Sequence, residues 1–376
     1  MAVGQAVHKK ADQLHSEAGG PDGTGGPLRP VRLASPPEDL AGWTPLLQAV
    51  QRSVGDVPAL LRLAADAGRS WPRPGEGNTA LLWELLASVT AVDVAAGRVF
   101  EPHLDALAIL HQAGAPYGLD RTWGVFAAEG PGMLLRAEGS GPGVLLTGSK
   151  PWCSLAGLLQ HAVVTAHTGD GGRAAFAVDL KHSGVACDEP GWIARGLREI
   201  PSGTVHFDQV PAAAVGTAGW YFSRPGFAWG GMGVAACWLG GAVGVARDYR
   251  RALLAGADAG REPDQLALAS LGEVDRILAS ALQYLARTAH AIDEGSLGTE
   301  EGRSAWSEAL RVRGTVAAAV ERVLHLVGSN RGPAPLAFDE QYAKRTADLA
   351  LYVRQHHGGR DDAHLGALTL KGDCAW

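Results

Sequence analysis

The spacing of apolar residues changes period twice along the chain. From Leu40 to about Gly114 apolar residues recur three and four apart, most plainly in TALLWELLASVTAVDVAAGRVF (79–100), a pattern that predicts helix. EPHLDALAILHQAG follows, with Pro102 placed as a helix start and Gly114 as a stop. Between Trp123 and Gly216 the period falls to two. WGVFAAE, GVLLTGSK, HAVVTAH, AAFAVDL, GVACDE and GTVHFDQV predict short strands separated by Gly, Asp and Pro turns. Within this region Leu145–Ala166 suggests two paired strands around a turn, TGSKPWCSLAG, that carries an indole, a thiol and a hydroxyl. From Gly226 to Gly366 the helical period returns in three long segments. The third, YAKRTADLALYVRQHH, is expected to end at Gly358 and Gly359. The expected fold class is α+β. Residues 38–120 form an N-terminal helical domain, 121–218 a small β-barrel or sandwich, and 219–370 a C-terminal four-helix bundle. Residues 1–37, rich in Gly, Pro and Ser, are expected to form a flexible leader.

Composition adds exclusions. The 376 residues are 46% hydrophobic and 19% charged, enough apolar residue for a large core. A net charge of −6 argues against a nucleic-acid partner, which needs a basic face. Four cysteines, none in a CxxC pair, argue against a metal ribbon and fit a reducing, cytoplasmic setting. The N-terminus lacks an apolar signal region. GFAWGGMGVAACWLGGAVGVA (226–246) has the length of a membrane span, but its glycines and polar flanks favour a buried core helix.

Four segments carry a resemblance to the acyl-CoA dehydrogenase superfamily, over about residues 40–366. LTGSKPWCSLAG resembles the strand-turn signature in which Lys, any residue and Trp precede a small hydroxyl residue. GTVHFDQVPAAAVG resembles the strand that closes the β domain, GGMGVAACWLGGAVGVARDYRRAL the first bundle helix, and VLHLVGSNRGPAPLAF with RTADLALYVRQHH the last two helices. The resemblance implies a flavin, FAD, with the Trp152 indole on its ring and the Ser154 hydroxyl near its reactive edge. An aromatic face suits a flat π system, and a hydroxyl can donate or accept as the ring changes redox state. By the same carry-over Glu129 stands at the upstream flavin loop, and Gly328, Ser329 and Asn330 at a glycine-rich phosphate turn.

The chain departs from the pattern where the chemistry is done. Counting eight residues from Asp348, where the family has its catalytic Glu, lands on His356, and no carboxylate stands in WGGMG (229–233), the alternative base position. An imidazole titrates near neutral pH, so His356 or His357 is the expected proton acceptor, with Asp361 and Asp362 as possible orienters. Two histidines at a helix C-terminus also fit a dipole-capping role. The leading reading is α,β-desaturation of an acyl thioester or related carbonyl-activated small molecule, with electrons passed to a separate acceptor. The alternatives are a monooxygenase of the same fold, using O2 and flavin reduced by a partner reductase, and a catalytically degenerate structural homologue. No metal is expected, and a homodimer or homotetramer is implied by the resemblance.

Overall fold

A computed structural model describes residues 28–139, 143–169, 171–189, 191–297 and 304–376, and most of the expected leader, residues 1–27, lies outside them. The chain passes through α1 (Pro37–Ala41), α2 (Thr44–Arg52), α3 (Val57–Gly68), α4 (Thr79–Val92) and α5 (Val94–Gln112). The helical pattern over 79–100 is two helices, not one. Asp93 is extended (φ −151°, ψ 131°) and caps α5 by accepting from the Ala96 N–H at 2.9 Å. Pro102, expected to start a helix, sits inside α5 instead. The N-cap at Asp93 has already begun that helix, and burial on both sides of the proline, Val94–Phe100 and Ala106–Leu110, carries it across the missing N–H.

Seven strands follow: β1 (Trp123–Phe126), β2 (Leu135–Glu138), β3 (Val144–Ser154), β4 (His161–His167), β5 (Arg173–Asp179), β6 (Val185–Cys187) and β7 (Ser202–Val215). The sheet closes on itself. β4 pairs with β5, β5 with β7, β7 with β3, β3 with β2, and Arg136 of β2 meets His167 of β4. Closure removes the free edges of the ring. Gly148 permits it: at φ +120° a Cβ there would stand 2.1 Å from the Leu134 carbonyl oxygen. The expected strand pair in Leu145–Ala166 is corrected. TGSKPWCS is the second half of β3 itself, and β3 pairs with β2 and β7 rather than with β4. Turn-forming residues lie in the strand because β3 is bulged there, with register shifts between Leu146 and Gly148 and between Lys150 and Cys153.

The second helical region comprises α6 (Trp220–Ser223), α7 (Pro225–Asp258), α8 (Gln265–Asp293), α9 (Ala305–Arg331), α10 (Ala334–Phe338), α11 (Glu340–Tyr352) and α12 (Gly359–Leu370), with a 3-10 turn at Val353–Gln355. α7 is long and apolar enough to cross a membrane, but 72% of its most apolar window is buried inside the protein. Its glycines set helix separations: a Cβ on Gly240 would lie 2.2 Å from the Ala87 carbonyl oxygen of α4. Gly358 and Gly359 do not close the histidine-bearing helix. That helix ends at Tyr352, and Gly358 (φ +56°) is the N-cap of α12.

Two contacts fix the parts to one another. The Lys344 Nζ sits 2.8 Å from Asp93, 2.8 Å from Glu199 and 2.7 Å from Asp348, so the acidic triad is a lysine cage. Burial acts to lower the Lys344 pKa, and the Asp93 and Asp348 charges overcome it and hold the ammonium above its ordinary range. Asp348 also accepts from the Leu197 N–H, which ties the loop before β7 to α11. The second contact is at the N-terminus. Residues 31–35, assigned to the leader on sequence grounds, lie against α4: Val31 N–H donates to Ser88 Oγ, and Leu33, Ala34 and Ser35 N–H all donate to Glu84 Oε1.

Candidate active site

The end of β3 presents its side chains by means of the bulge. Lys150 is buried and Cys153 is buried, while Trp152 between them takes φ +59° and is 63% exposed. A positive φ at a bulky residue is strained backbone. Here it turns an indole out of the sheet into open space. Ser154, two residues on, shares a 2.6 Å hydrogen bond with Ser202 on β7 and accepts from Arg98 Nη2 of α5 at 3.1 Å. Beneath them the Lys150 Nζ lies 2.7 Å from Glu129 and 3.0 Å from Thr165 Oγ1.

A polar cluster continues from Arg98 into the interior. Arg98 Nη1 meets Glu101 at 3.4 Å, and Tyr352 donates to Glu101 at the same distance. Burial lifts the Glu101 carboxyl from 4.5 to about 7 against the pull of Arg98, with Asp105 one helical turn along α5 adding to the rise. Burial likewise pushes the neighbouring Cys237 thiol up to about 12. Arg313 of α9 stands 4.8 Å above the Trp238 ring and donates to the Gly231 carbonyl at 3.0 Å and the Gln355 carbonyl at 2.6 Å. One guanidinium thus holds both the start of α7 and the residue before His356.

His356 is mostly buried, with its ring 3.8 Å from the point where a Cβ on Gly314 would lie. Its Nδ1 is 3.2 Å from Asp361 Oδ2 but not aligned for a hydrogen bond, which leaves a buried, unpartnered ring nitrogen. His357 is 60% exposed, and its Nδ1 lies 3.2 Å from Asp361 Oδ1 while its N–H donates to Oδ2 at 3.1 Å. Burial acts to raise the Asp361 pKa, and the bonds and charge from His357 outweigh it and keep the carboxylate below its usual range. Asp361 therefore faces both imidazoles, while among the described residues the Asp362 carboxylate has no side-chain hydrogen-bond or ion-pair partner and its N–H donates to the Gly358 carbonyl.

The remaining expected residues divide. Glu129 is engaged within the β unit, where Lys150, His167 and Arg173 surround its carboxylate at 2.7, 3.2 and 3.4 Å. Burial favours its neutral form, but those hydrogen bonds and charges prevail and lower its pKa. The loop it begins packs on the Trp152 strand: a Cβ on Gly130 would stand 2.9 Å from the Pro151 ring. Gly328, Ser329 and Asn330 form the last turn of α9 rather than a loop, and Asn330 donates to Ser270 Oγ and to the Leu326 carbonyl. At about 1.5 Å rise per residue Gly328 lies about 21 Å along α9 from Gly314, the residue of that helix beside the His356 ring. Arg98, Glu101 and Arg313 are absent from the sequence expectations. Their signal is a charge on the apolar side of a helix, which sequence alone does not distinguish from a solvated one.

These residues fit a flavin. The 63% exposed indole offers a flat apolar face, the Ser154–Ser202 hydroxyl pair supplies polar groups two residues along β3, and the buried His356 Nδ1 stands 3.2 Å from the Asp361 carboxylate.

No family model matches the chain, and no curated protein matches it in sequence. Solved structures do match it in shape. FMN-bound TdsC from Paenibacillus sp. A11-2 superimposes with a TM-score of 0.73 at 16% identity, over 87% of this chain and 96% of that one. KijD3, in complex with FMN and dTDP-3-amino-2,3,6-trideoxy-4-keto-3-methyl-D-glucose, gives 0.71 at 16%, over 89% and 93%. Glutaryl-CoA dehydrogenase from Mycobacterium smegmatis gives 0.71 at 15%, over 89% and 96%. The fold is therefore that of the acyl-CoA dehydrogenases and of flavin-bound enzymes built on the same frame.

Proposed function

We propose that the protein is a flavin-dependent oxidoreductase whose proton acceptor is His356. The observation that carries this reading is the mostly buried His356 ring, with an unpartnered nitrogen and a carboxylate 3.2 Å away, at the position where the resemblance places a catalytic Glu. A bound flavin supplies the acceptance of a hydride. His356 takes the proton that leaves the substrate, Asp361 stabilises the resulting imidazolium, and Arg313 fixes the Gln355 carbonyl so that the ring stays in place. Trp152 and Ser154 are the residues that would hold the flavin, the indole by stacking and the hydroxyl by hydrogen bonding. The substrate is a small molecule with an acidified C–H bond, such as an acyl thioester, and the cofactor is FAD. Because Gly328 lies about 21 Å along α9 from the His356 neighbour Gly314, Gly328, Ser329 and Asn330 enter this reading through a second copy, which makes the enzyme a homodimer or larger.

The test begins with purified protein, which should carry a flavin whose mass distinguishes FAD from FMN. Anaerobic addition of an acyl thioester should bleach it, and His356→Ala should slow the bleaching at least a hundredfold while leaving the flavin bound. Colourless protein that takes up neither flavin ends the proposal. The imidazole in place of a carboxylate also favours the oxygen-using alternative. Its outcome is the opposite pattern: no bleaching by thioesters, but oxygen uptake that depends on an added NADH–flavin reductase.

A further inference from the structure

We propose that a cavity at the C-terminal end of α7 binds a phosphate-bearing small molecule. The cavity has a volume of about 790 Å3 and is bounded by α4, α7, α11 and the N-terminal segment. Five arginines line it, Arg29, Arg247, Arg250, Arg251 and Arg345, against a single carboxylate, Asp248. Helical spacing puts 247, 250, 251 and 254 on one side of α7. Along that helix Arg250 lies about 28 Å from Gly231, so the cavity is separate from the end of α7 that Arg313 ties to Gln355, beside His356.

The charge there is not compensated from within. Asp248 is fully used, with Oδ1 taken by Arg251 at 2.6 Å and Oδ2 by Arg345 at 2.9 Å. Arg345 is further fixed by the Ala91 and Val92 carbonyls, in a notch that exists because residue 244 is glycine: a Cβ there would stand 2.4 Å from its Nη1. Arg247 donates to the Pro30 carbonyl at 3.2 Å. Among the described residues no carboxylate lies within ion-pair distance of Arg29, Arg247 or Arg250. Burial, then the charges of Arg345 and Arg29, hold Arg247 below the ordinary arginine range. Three guanidiniums gathered around a cavity, in a protein of net charge −6, are the arrangement an anion would complete.

The chemistry of the donors narrows the class. Arginine presents a planar fork that matches phosphate oxygens two at a time, which a lysine does not. Gln51 and Gln341 add amide groups at the rim, and Leu28, Val92 and Leu254 provide an apolar wall for the carbon part of the ligand. The volume lies in the range of small-molecule sites.

Isothermal titration of the full chain with pyrophosphate, ADP and adenosine tests this, whether or not the protein carries flavin. Pyrophosphate and ADP should bind, ADP more tightly, and adenosine should not. Arg29→Glu and Arg250→Glu should each weaken ADP at least tenfold. Arg276→Glu, an exposed charge on α8, should leave ADP affinity within twofold. Absence of binding at millimolar pyrophosphate and ADP overturns the proposal, as does equal weakening by Arg276→Glu, which would mean diffuse attraction. Release of flavin on adding ADP also overturns it, because the cavity would then belong to the flavin site. In all three variants the visible absorbance of any bound flavin should stay at its wild-type value.

Discussion

Glu101 and His103, two residues apart on α5, respond to burial with opposite signs. Glu101 is raised from 4.5 to about 7, so between those values the folded protein holds a proton that the unfolded chain has released. Its contribution to stability therefore falls as pH rises through that window, by about 3 kcal/mol in all. His103 is lowered by burial from 6.5 to about 4 and accepts the Trp123 N–H at Nδ1. Below 6.5 the unfolded chain takes up a proton that the folded ring refuses, so this group loses stability as pH falls. The two slopes oppose and largely cancel in the wild type. In Glu101→Gln the slope that opposes the histidine is removed, so urea midpoints should climb more steeply from pH 4.5 to 7 than in the wild type and exceed it above pH 7. Parallel curves would show that Glu101 is already ionised in the folded state.

At the scale of elements, contacts across helices override local preference. Gly→Ala inside an exposed helix gains about 1 kcal/mol. Gly240→Ala should instead cost about 1–3 kcal/mol, because its methyl would meet the α4 backbone at Ala87 and drive two buried helices apart. A chemical-denaturation midpoint at or above wild type would contradict that packing. Lys344→Met leaves Asp93, Glu199 and Asp348 facing one another and should cost about 3 kcal/mol, with faster amide exchange at Leu197 and Ile200. What the sequence revealed at this scale follows the range of the forces. The strands from β3 to β7 fall within or across the period-two segments, and the small-residue pattern of α7 marks a buried helix, because alternation and periodicity are local. β2 went unread because its Leu135–Glu138 alternation sits between the turn-forming Gly130–Gly132 and Gly139. The junction at Asp93 is a single capping residue in an apolar run. Of the candidate site, Trp152, Ser154 and His356 stand in recognisable spacings, whereas the placement of Asp361 depends on a glycine turn, and that of Arg98, Glu101 and Arg313 on which helices meet.

Over the whole molecule, distant segments are tied together by acidic side chains that accept backbone N–H groups. Asp293 accepts from Gly77, Thr79 and the Thr79 hydroxyl and so fixes the start of α4 to the end of α8. Asp373 binds Ser304, Ser307 and Arg311 and so pins the C-terminus to α9. Glu84 does the same for the N-terminal segment with three N–H groups on one oxygen. No pattern in the sequence announces these ties, since each partner lies about 50 to 216 residues away. Each tie is also a single point of failure for its segment. In Glu84→Ala, three N–H groups of residues 33–35 lose their acceptor while Ser88 retains only the one at Val31. Residues 31–35 should then detach while the rest of the core, to which only Val31 and Leu33 of this segment contribute, stays folded. Trypsin, which cuts after arginine, should cleave Arg32–Leu33 at least tenfold faster in that variant, with the remaining fragment otherwise resistant. An unchanged rate would mean that Val31 and Leu33, buried in the core, anchor the segment without the carboxylate.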